Sequence, residues 1–179
     1  MAKPAKPQPR APARRSARVA VVVSRYNASV TEPLLKGAIR ECMTRSGSEP
    51  VVYRVPGSFE LPVVALSAAG SRKFDAVVAL GCLIKGETSH DRYIAEAVAH
   101  GLIEVSMRTG VPVTFGVLTV DTPAQAQARA GGAHGNKGAD AMSAALDAVD
   151  VVLAARAGRA PATAGRRALP DKASVGRTP

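Results

Sequence analysis

Four short apolar runs rich in β-branched residues punctuate the chain: Val19 to Val23, Val51 to Tyr53, Ala76 to Leu80 and Val113 to Leu118. Each is mostly continuous rather than alternating, the pattern of strands buried on both faces of a parallel sheet. Between the runs, apolar residues recur at helical spacing: Val30, Leu34, Leu35, Ala38, Ile39 and Cys42 in one segment, Ile94, Ala95, Val98, Leu102 and Val105 in another. Thr122-Pro123-Ala124-Gln125 reads as a helix start, with a capping Thr, Pro at the first helical position and Gln three residues after the cap. A last helix carries Met142, Ala145, Leu146, Val149, Val152 and Leu153 on one face. The order β-α-β-α-β-α-β-α-α predicts an α/β fold, a three-layer α/β/α sandwich on a four-stranded parallel sheet.

Charge divides the chain into a body and two tails. The net charge is +10. Lys3, Lys6, Arg10, Arg14, Arg15 and Arg18 give residues 1 to 18 a charge of +6, and Arg156, Arg159, Arg166, Arg167, Lys172 and Arg177 against Asp171 give residues 156 to 179 a charge of +5. Residues 19 to 155 are left at −1, so the body does not read as a nucleic-acid-binding domain. The expected organisation is a basic N-terminal tail over 1–17, a folded domain over 18–156 and a basic C-terminal tail over 157–179, both tails disordered because Pro, Ala and Arg cannot build a core. The prolines at 4, 7, 9 and 12 oppose the amphipathic helix of a transit peptide. Cys42 and Cys82 form no CxxC or Cys/His cluster, which points away from a disulfide framework or zinc site and toward a reducing cytoplasm. No apolar run reaches the length of a membrane span.

In open parallel sheets, ligands collect beyond the carboxyl ends of the strands. The unusual residues fall there: Ser24-Arg25-Tyr26-Asn27, Val55-Pro56-Gly57-Ser58-Phe59-Glu60-Leu61-Pro62, Gly81 to His90, and the stretch from Phe115 to Asp121. In GETSHD, Thr88 is placed to cap the next helix with Asp91 at the third helical position, which puts His90 in the first turn. The positive end of that helix disfavours imidazolium, leaving a neutral ring to accept a proton, and the free N–H groups of the turn suit a phosphate. The same spacing also fits a well-capped helix with a surface histidine. Tyr26, Phe59 and Phe115, three of only six aromatic residues, lie at or near strand ends and suggest a flat ligand, although core packing can also concentrate them. His100, four residues from both Glu96 and Glu104, reads as part of a solvated helix face, Cys82 as a packed thiol and Cys42 as core. The run Gly131 to Gly138 lacks the GK[ST] ending of a phosphate loop and follows a helix, so it reads as a turn between helices. Arg129 is open to two readings, an ordinary exposed arginine or a bidentate phosphate clamp.

Taken together, SRYNASVTEPLLKGA, VPGSFELP, GCLIKGETSHDRYI and PVTFGVLTVDTPAQAQARAGGAHGNKGADA resemble the lumazine synthase family in order and spacing across roughly residues 18 to 155. The resemblance implies a flavodoxin-like topology. It also implies condensation of 5-amino-6-(D-ribitylamino)uracil with 3,4-dihydroxy-2-butanone 4-phosphate to 6,7-dimethyl-8-ribityllumazine, with release of phosphate and water and without a metal or organic cofactor. Carried over by position, Tyr26 stacks on the pyrimidine, with Asn27 beside it among the substrate-binding residues. The family usually has Phe where this chain has Tyr26, and the added hydroxyl needs a partner or water. Ser58, Phe59 and Glu60 hold the ribityl chain and ring; Cys82, Leu83 and Ile84 line the pyrimidine pocket through their backbone; Glu87 and Thr88 meet the phosphate; and His90 transfers protons. Arg129 clamps the phosphate and Phe115 closes the pocket, both from a neighbouring subunit, while Lys137 matches a family lysine near the site.

The resemblance further implies self-association to pentamers, and the uninterrupted turn from Gly131 to Lys137 leans toward the family's shells of sixty subunits. Riboflavin synthase is a candidate partner. A non-catalytic flavin carrier on the same fold would not require His90, Thr88 and Arg129 together. A nucleic-acid-binding protein would act through the tails alone.

Overall fold

A computed structural model describes residues 16–161. In chain order the elements are β1 (Val19–Ser24), α1 (Ala28–Ser46), β2 (Val51–Val55), α2 (Leu61–Gly70), β3 (Ala76–Ile84), α3 (His90–Thr109), β4 (Val113–Val120), α4 (Pro123–Arg129), β5 (Ala130–Gly132), β6 (Gly135–Asn136) and α5 (Lys137–Arg156). The four long strands form one parallel sheet in the order β2-β1-β3-β4, the flavodoxin-like arrangement, with helices on both faces. Ala20 pairs with Val51 and Val77, and Leu80 with Gly116.

The inner strands explain the continuous apolar runs. Val19, Val21 and Val23 of β1, with Val78, Leu80 and Cys82 of β3, pack against Leu34, Ala38 and Cys42 of α1 and Met142, Ala145 and Val149 of α5. The alternate residues Ala20, Val22, Val77 and Ala79 face Leu61 and Ala65 of α2 and Val98, Leu102 and Val105 of α3. Strand β2 departs from the expectation of burial on both faces. It is a sheet edge, and Val51 and Tyr53 are exposed. Leu153, expected on the buried stripe of the last helix, is also exposed near the end of α5.

Two helix starts differ from the sequence reading. Ser89, not Thr88, occupies the cap position of α3 and no side chain caps it. His90 and Asp91 therefore take the first two helical positions, where neither N–H has an acceptor within the helix. At α4, Thr122 Oγ1 accepts from Gln125 N (3.2 Å) as expected, but the Gln125 side chain accepts from Asp121 N (2.9 Å) instead of closing back on the cap. The glycine run expected as a simple turn forms the antiparallel hairpin β5–β6.

Helices α1 and α5 approach so closely that glycine is required. A Cβ on Gly138 would stand 2.1 Å from the Leu34 carbonyl oxygen, and one on Gly37 would meet the Asn136 side chain at 2.3 Å. Asn136 fills the gap: its Oδ1 accepts from Gly138 N (2.9 Å) and Ala139 N (3.1 Å), capping α5, while its Nδ2 donates to Pro33 O (2.8 Å). Gly138→Ala forces the helices apart and is expected to destabilise the fold by about 1–3 kcal/mol or more, read as a lower urea midpoint.

The tail assignments over 1–17 and 157–179 fall mostly outside the described residues. Of the part described, Ser16 Oγ donates to Ser46 O (2.5 Å) and Ala17 packs against the core. Among the described residues no helix is long and apolar enough to cross a membrane.

Candidate active site

The carboxyl ends of β1, β2 and β3 open into a cavity of about 460 Å³. Three connections form its walls. Backbone bonds from Arg25 N to Val55 O (2.8 Å) and from Tyr26 N to Pro56 O (3.1 Å) hold the first two together. Arg54 binds both carboxylate oxygens of Glu32, fastening the end of β2 to the start of α1, and its hydrogen bond holds the Glu32 carboxyl below the usual range. Asn27 ties in the third connection. It adopts the left-handed conformation (φ 58°) and leaves α1 uncapped by its side chain, donating from Nδ2 to Cys82 O instead (2.9 Å).

Tyr26, Asn27, Ser58, Phe59, Glu60, Cys82, Leu83, Ile84, Thr88 and His90 all line this one cavity. Ser58 is buried on its floor because Gly81 lies beneath it; a Cβ there would come within 2.6 Å of Ser58 Oγ. Glu60 Oε2 accepts from Gly57 N (2.8 Å), which fixes the carboxylate at the wall. Tyr26 and Phe59 are 71% and 62% exposed, so two aromatic faces stand open at the mouth. His90 lines the same cavity from the start of α3. A cavity with two open rings, a fixed carboxylate, a histidine and a helix start with unsatisfied N–H groups can take a flat polar ligand together with an anion.

Gly57, Gly86, Asp91 and Ile94 also line the cavity and were not among the residues expected there. Signals for them existed: the glycines lie inside the motifs, Asp91 follows His90, and Ile94 comes one helical turn later.

The remaining expected residues stand elsewhere in the subunit. Glu87 is exposed in the loop before α3 and does not line the cavity. Phe115, expected near a strand end, is the third residue of β4 and pairs with Ala79, three residues short of Cys82 and thus about 10 Å lower in the sheet. It lines a separate groove of about 550 Å³ along the β4 edge, shared with Lys137, whose Nζ lies 2.8 Å from Asp140 Oδ2. Arg129 lies in neither; it ends α4 half-exposed, with one guanidinium N–H on Gln125 O (3.1 Å). On α3, Glu96 and Glu104, the neighbours of His100, pair with Arg92 and Arg108 on the same exposed face.

Both cysteines are free and buried. Burial raises the Cys42 thiol and pushes Cys82 up to about 11 from 9.0. The fold thus favours the neutral Cys82 thiol; that stabilisation is complete below about pH 9 and is lost as pH rises through about 11. At pH 8, alkylation of native Cys82 by iodoacetamide is expected to be about 100-fold slower than in urea, as mass spectrometry would read; equal rates would show an accessible thiolate.

The sequence model of 6,7-dimethyl-8-ribityllumazine synthase matches residues 16–152. Curated proteins bearing that name are similar over most of their length. One from Thermus thermophilus is 49% identical over 140 residues, covering 76% of this chain and 88% of its own. One from Syntrophus aciditrophicus is 48% identical over 135 residues, covering 74% and 87%, and one from Xanthomonas oryzae pv. oryzae is 44% identical over 139, covering 76% and 90%. With matches that span all four strands and every wall of the cavity, the chain belongs to the 6,7-dimethyl-8-ribityllumazine synthase family.

Proposed function

We propose that the protein makes 6,7-dimethyl-8-ribityllumazine in riboflavin biosynthesis, joining 5-amino-6-(D-ribitylamino)uracil to 3,4-dihydroxy-2-butanone 4-phosphate. The observation that carries this reading is the single cavity lined by Tyr26, Ser58, Phe59, Glu60, Thr88 and His90. Tyr26 stacks on the pyrimidine. Ser58, Phe59 and Glu60 take the ribityl chain, and the backbone of Cys82, Leu83 and Ile84 meets the ring edge. Thr88 and Glu87, with the free N–H groups of His90 and Asp91, receive the phosphate. The amine attacks the ketone and a first water leaves as the imine forms; elimination of phosphate leaves an enol that tautomerises to a ketone, and the ribitylamine nitrogen adds to that carbonyl and closes the ring with loss of a second water. His90 takes and returns the protons of these steps. One substrate already carries the electrophile and the leaving group, and no step is an oxidation, so this transfer-type condensation needs no metal or organic cofactor.

The site is completed by a second copy of the chain. Phe115, Lys137 and Arg129 lie away from the cavity of their own subunit and are available to the neighbour's. An apolar face on α2 and α3 supports such association: Val63, Leu66, Ile103 and Met107 are exposed, Met107 to 80%. The ring is a pentamer, and the shell of sixty subunits is its further assembly. Free thiols suit a reducing cytoplasm.

Following lumazine formation by absorbance tests the reading. Arg129→Ala is expected to raise KM for the phosphorylated substrate about 10- to 100-fold, the loss of one or two charge-assisted bonds. An unchanged KM removes Arg129 from the phosphate site. No turnover by the unaltered protein, with riboflavin still bound, makes it a carrier instead.

A further inference from the structure

Asparagine precedes two long helices and serves them differently. Asn136 stands before α5 with an extended backbone and caps it, its Oδ1 accepting from Gly138 N and Ala139 N. Asn27 stands before α1 in the left-handed conformation (φ 58°, ψ 46°), leaves that helix without a side-chain cap and sends its Nδ2 across to the Cys82 carbonyl at 2.9 Å. Asn tolerates that backbone better than most residues, and a cap given up for a bond elsewhere points to a constraint set by the site.

The register of the sheet shows what this bond replaces. Strand β1 pairs with β3 only as far as Val23 opposite Leu80, whereas β4 accompanies β3 to Ile84. Beyond Leu80, among the described residues, β3 therefore has a strand on one side only. In a parallel ladder the N–H and C=O of one residue point to the same side, and successive residues alternate. Lys85 N donates to Val120 O (2.9 Å), so Leu83 and Lys85 turn toward β4, and Cys82 and Ile84 toward the side that β1 has left. Continued by its own step, the β1 ladder would bring the Tyr26 N–H to the Cys82 carbonyl. That N–H donates to Pro56 O instead (3.1 Å), and Asn27 Nδ2 takes the carbonyl in its place. Ile84, the next residue to turn that way, has no strand opposite among the described residues and lines the cavity with Asn27, Cys82 and Leu83.

We propose that Asn27 is a positioning residue for the ring-binding wall of the cavity. Its amide stands in for the missing strand, fixes the Cys82 carbonyl, and so aims the N–H and C=O of Ile84 at the edge of a flat ring that presents a donor beside an acceptor, as a pyrimidine dione does. The inference rests on the cavity being the aminouracil site. Asn27 acts through Cys82, on the holding of one substrate and not on the proton steps.

Two variants that both accept the left-handed backbone test this. Asn27→Asp sets a carboxylate oxygen against the Cys82 carbonyl, and Asn27→Gly removes the tie. Each is expected to raise KM for the aminouracil about tenfold or more, with kcat and the KM for the phosphorylated substrate within about twofold of the unaltered protein. Riboflavin affinity, read by quenching of its fluorescence, should fall about as far. In the ligand-free protein, hydrogen exchange over residues 81–86 should quicken about tenfold or more, while β1 stays protected. An unchanged aminouracil KM overturns the proposal, and so does a purely structural effect, in which the urea midpoint falls and both KM values move together. Weaker binding with unchanged exchange over 81–86 makes Asn27 a direct ligand contact and overturns positioning. If the unaltered protein makes no lumazine, the functional reading fails by itself, and riboflavin affinity with hydrogen exchange still decides the role of Asn27. A protein that neither makes lumazine nor binds riboflavin overturns both.

Discussion

His90→Ala is expected to lower kcat about 100-fold or more while leaving lumazine formation measurable, with little change in either KM. A positioned acid–base group contributes about 10²–10⁴ in rate, and the condensation moves a proton at every step. His90 is the group in the cavity suited to both directions: it opens α3 and lines the cavity together with Thr88, Tyr26 and Phe59, whereas Glu60 is already engaged by Gly57 N. The reaction does not depend on His90 alone. Holding two reactants at one site can supply about 7–11 kcal/mol of the barrier, and that contribution stays when the imidazole is gone. His90→Gln, which keeps a hydrogen-bonding side chain but cannot carry a proton back and forth, should be nearly as slow. Steady-state kinetics with wild-type kcat in His90→Ala would remove the assignment.

What could be read from the sequence follows from where each residue is buried. β1 and β3 are inner strands covered by two helical layers, so their uninterrupted valines and alanines announced both their type and their place. β2 carries the same residue types at an edge, where Val51 and Tyr53 are exposed; apolar content alone does not separate an edge from a centre. The hairpin β5–β6 was invisible because strands of two and three residues are too short to show a period. The start of α3 was misplaced by one residue because Thr88, Ser89 and Asp91 are all of cap-forming type, and spacing does not choose among them.

The cavity was legible for a topological reason. The strand order reverses direction around β1, so the segments after β1, β2 and β3 converge, and of the site residues expected after those strands all but Glu87 line a common cavity. Asn27 is different: its type and position were noticed, but its bond to the Cys82 carbonyl depends on a left-handed backbone that a sequence does not display. Phe115, Arg129 and Lys137 could not be placed beside the cavity from one chain, because β4 is the far edge of the sheet and its third residue lies below the strand ends.

Mixing two crippled variants distinguishes a site shared between copies from one enclosed in a single subunit. His90→Ala damages the cavity face; Arg129→Ala damages the face that α4 offers. In a ring of heterologous contacts each site takes one face from each of two neighbours, so equal co-assembly leaves about a quarter of the sites with both faces intact. Assayed at low phosphorylated substrate, where both parents are slow, the co-assembled mixture should reach about 25% of wild-type activity. The same proteins mixed without subunit exchange should show only the mean of the two parents. Were Arg129 to serve the cavity of its own subunit, every copy in the mixture would carry one damaged residue at its site, and co-assembly would add nothing. Recovery therefore requires both that Arg129 acts across the interface and that His90 acts within the cavity.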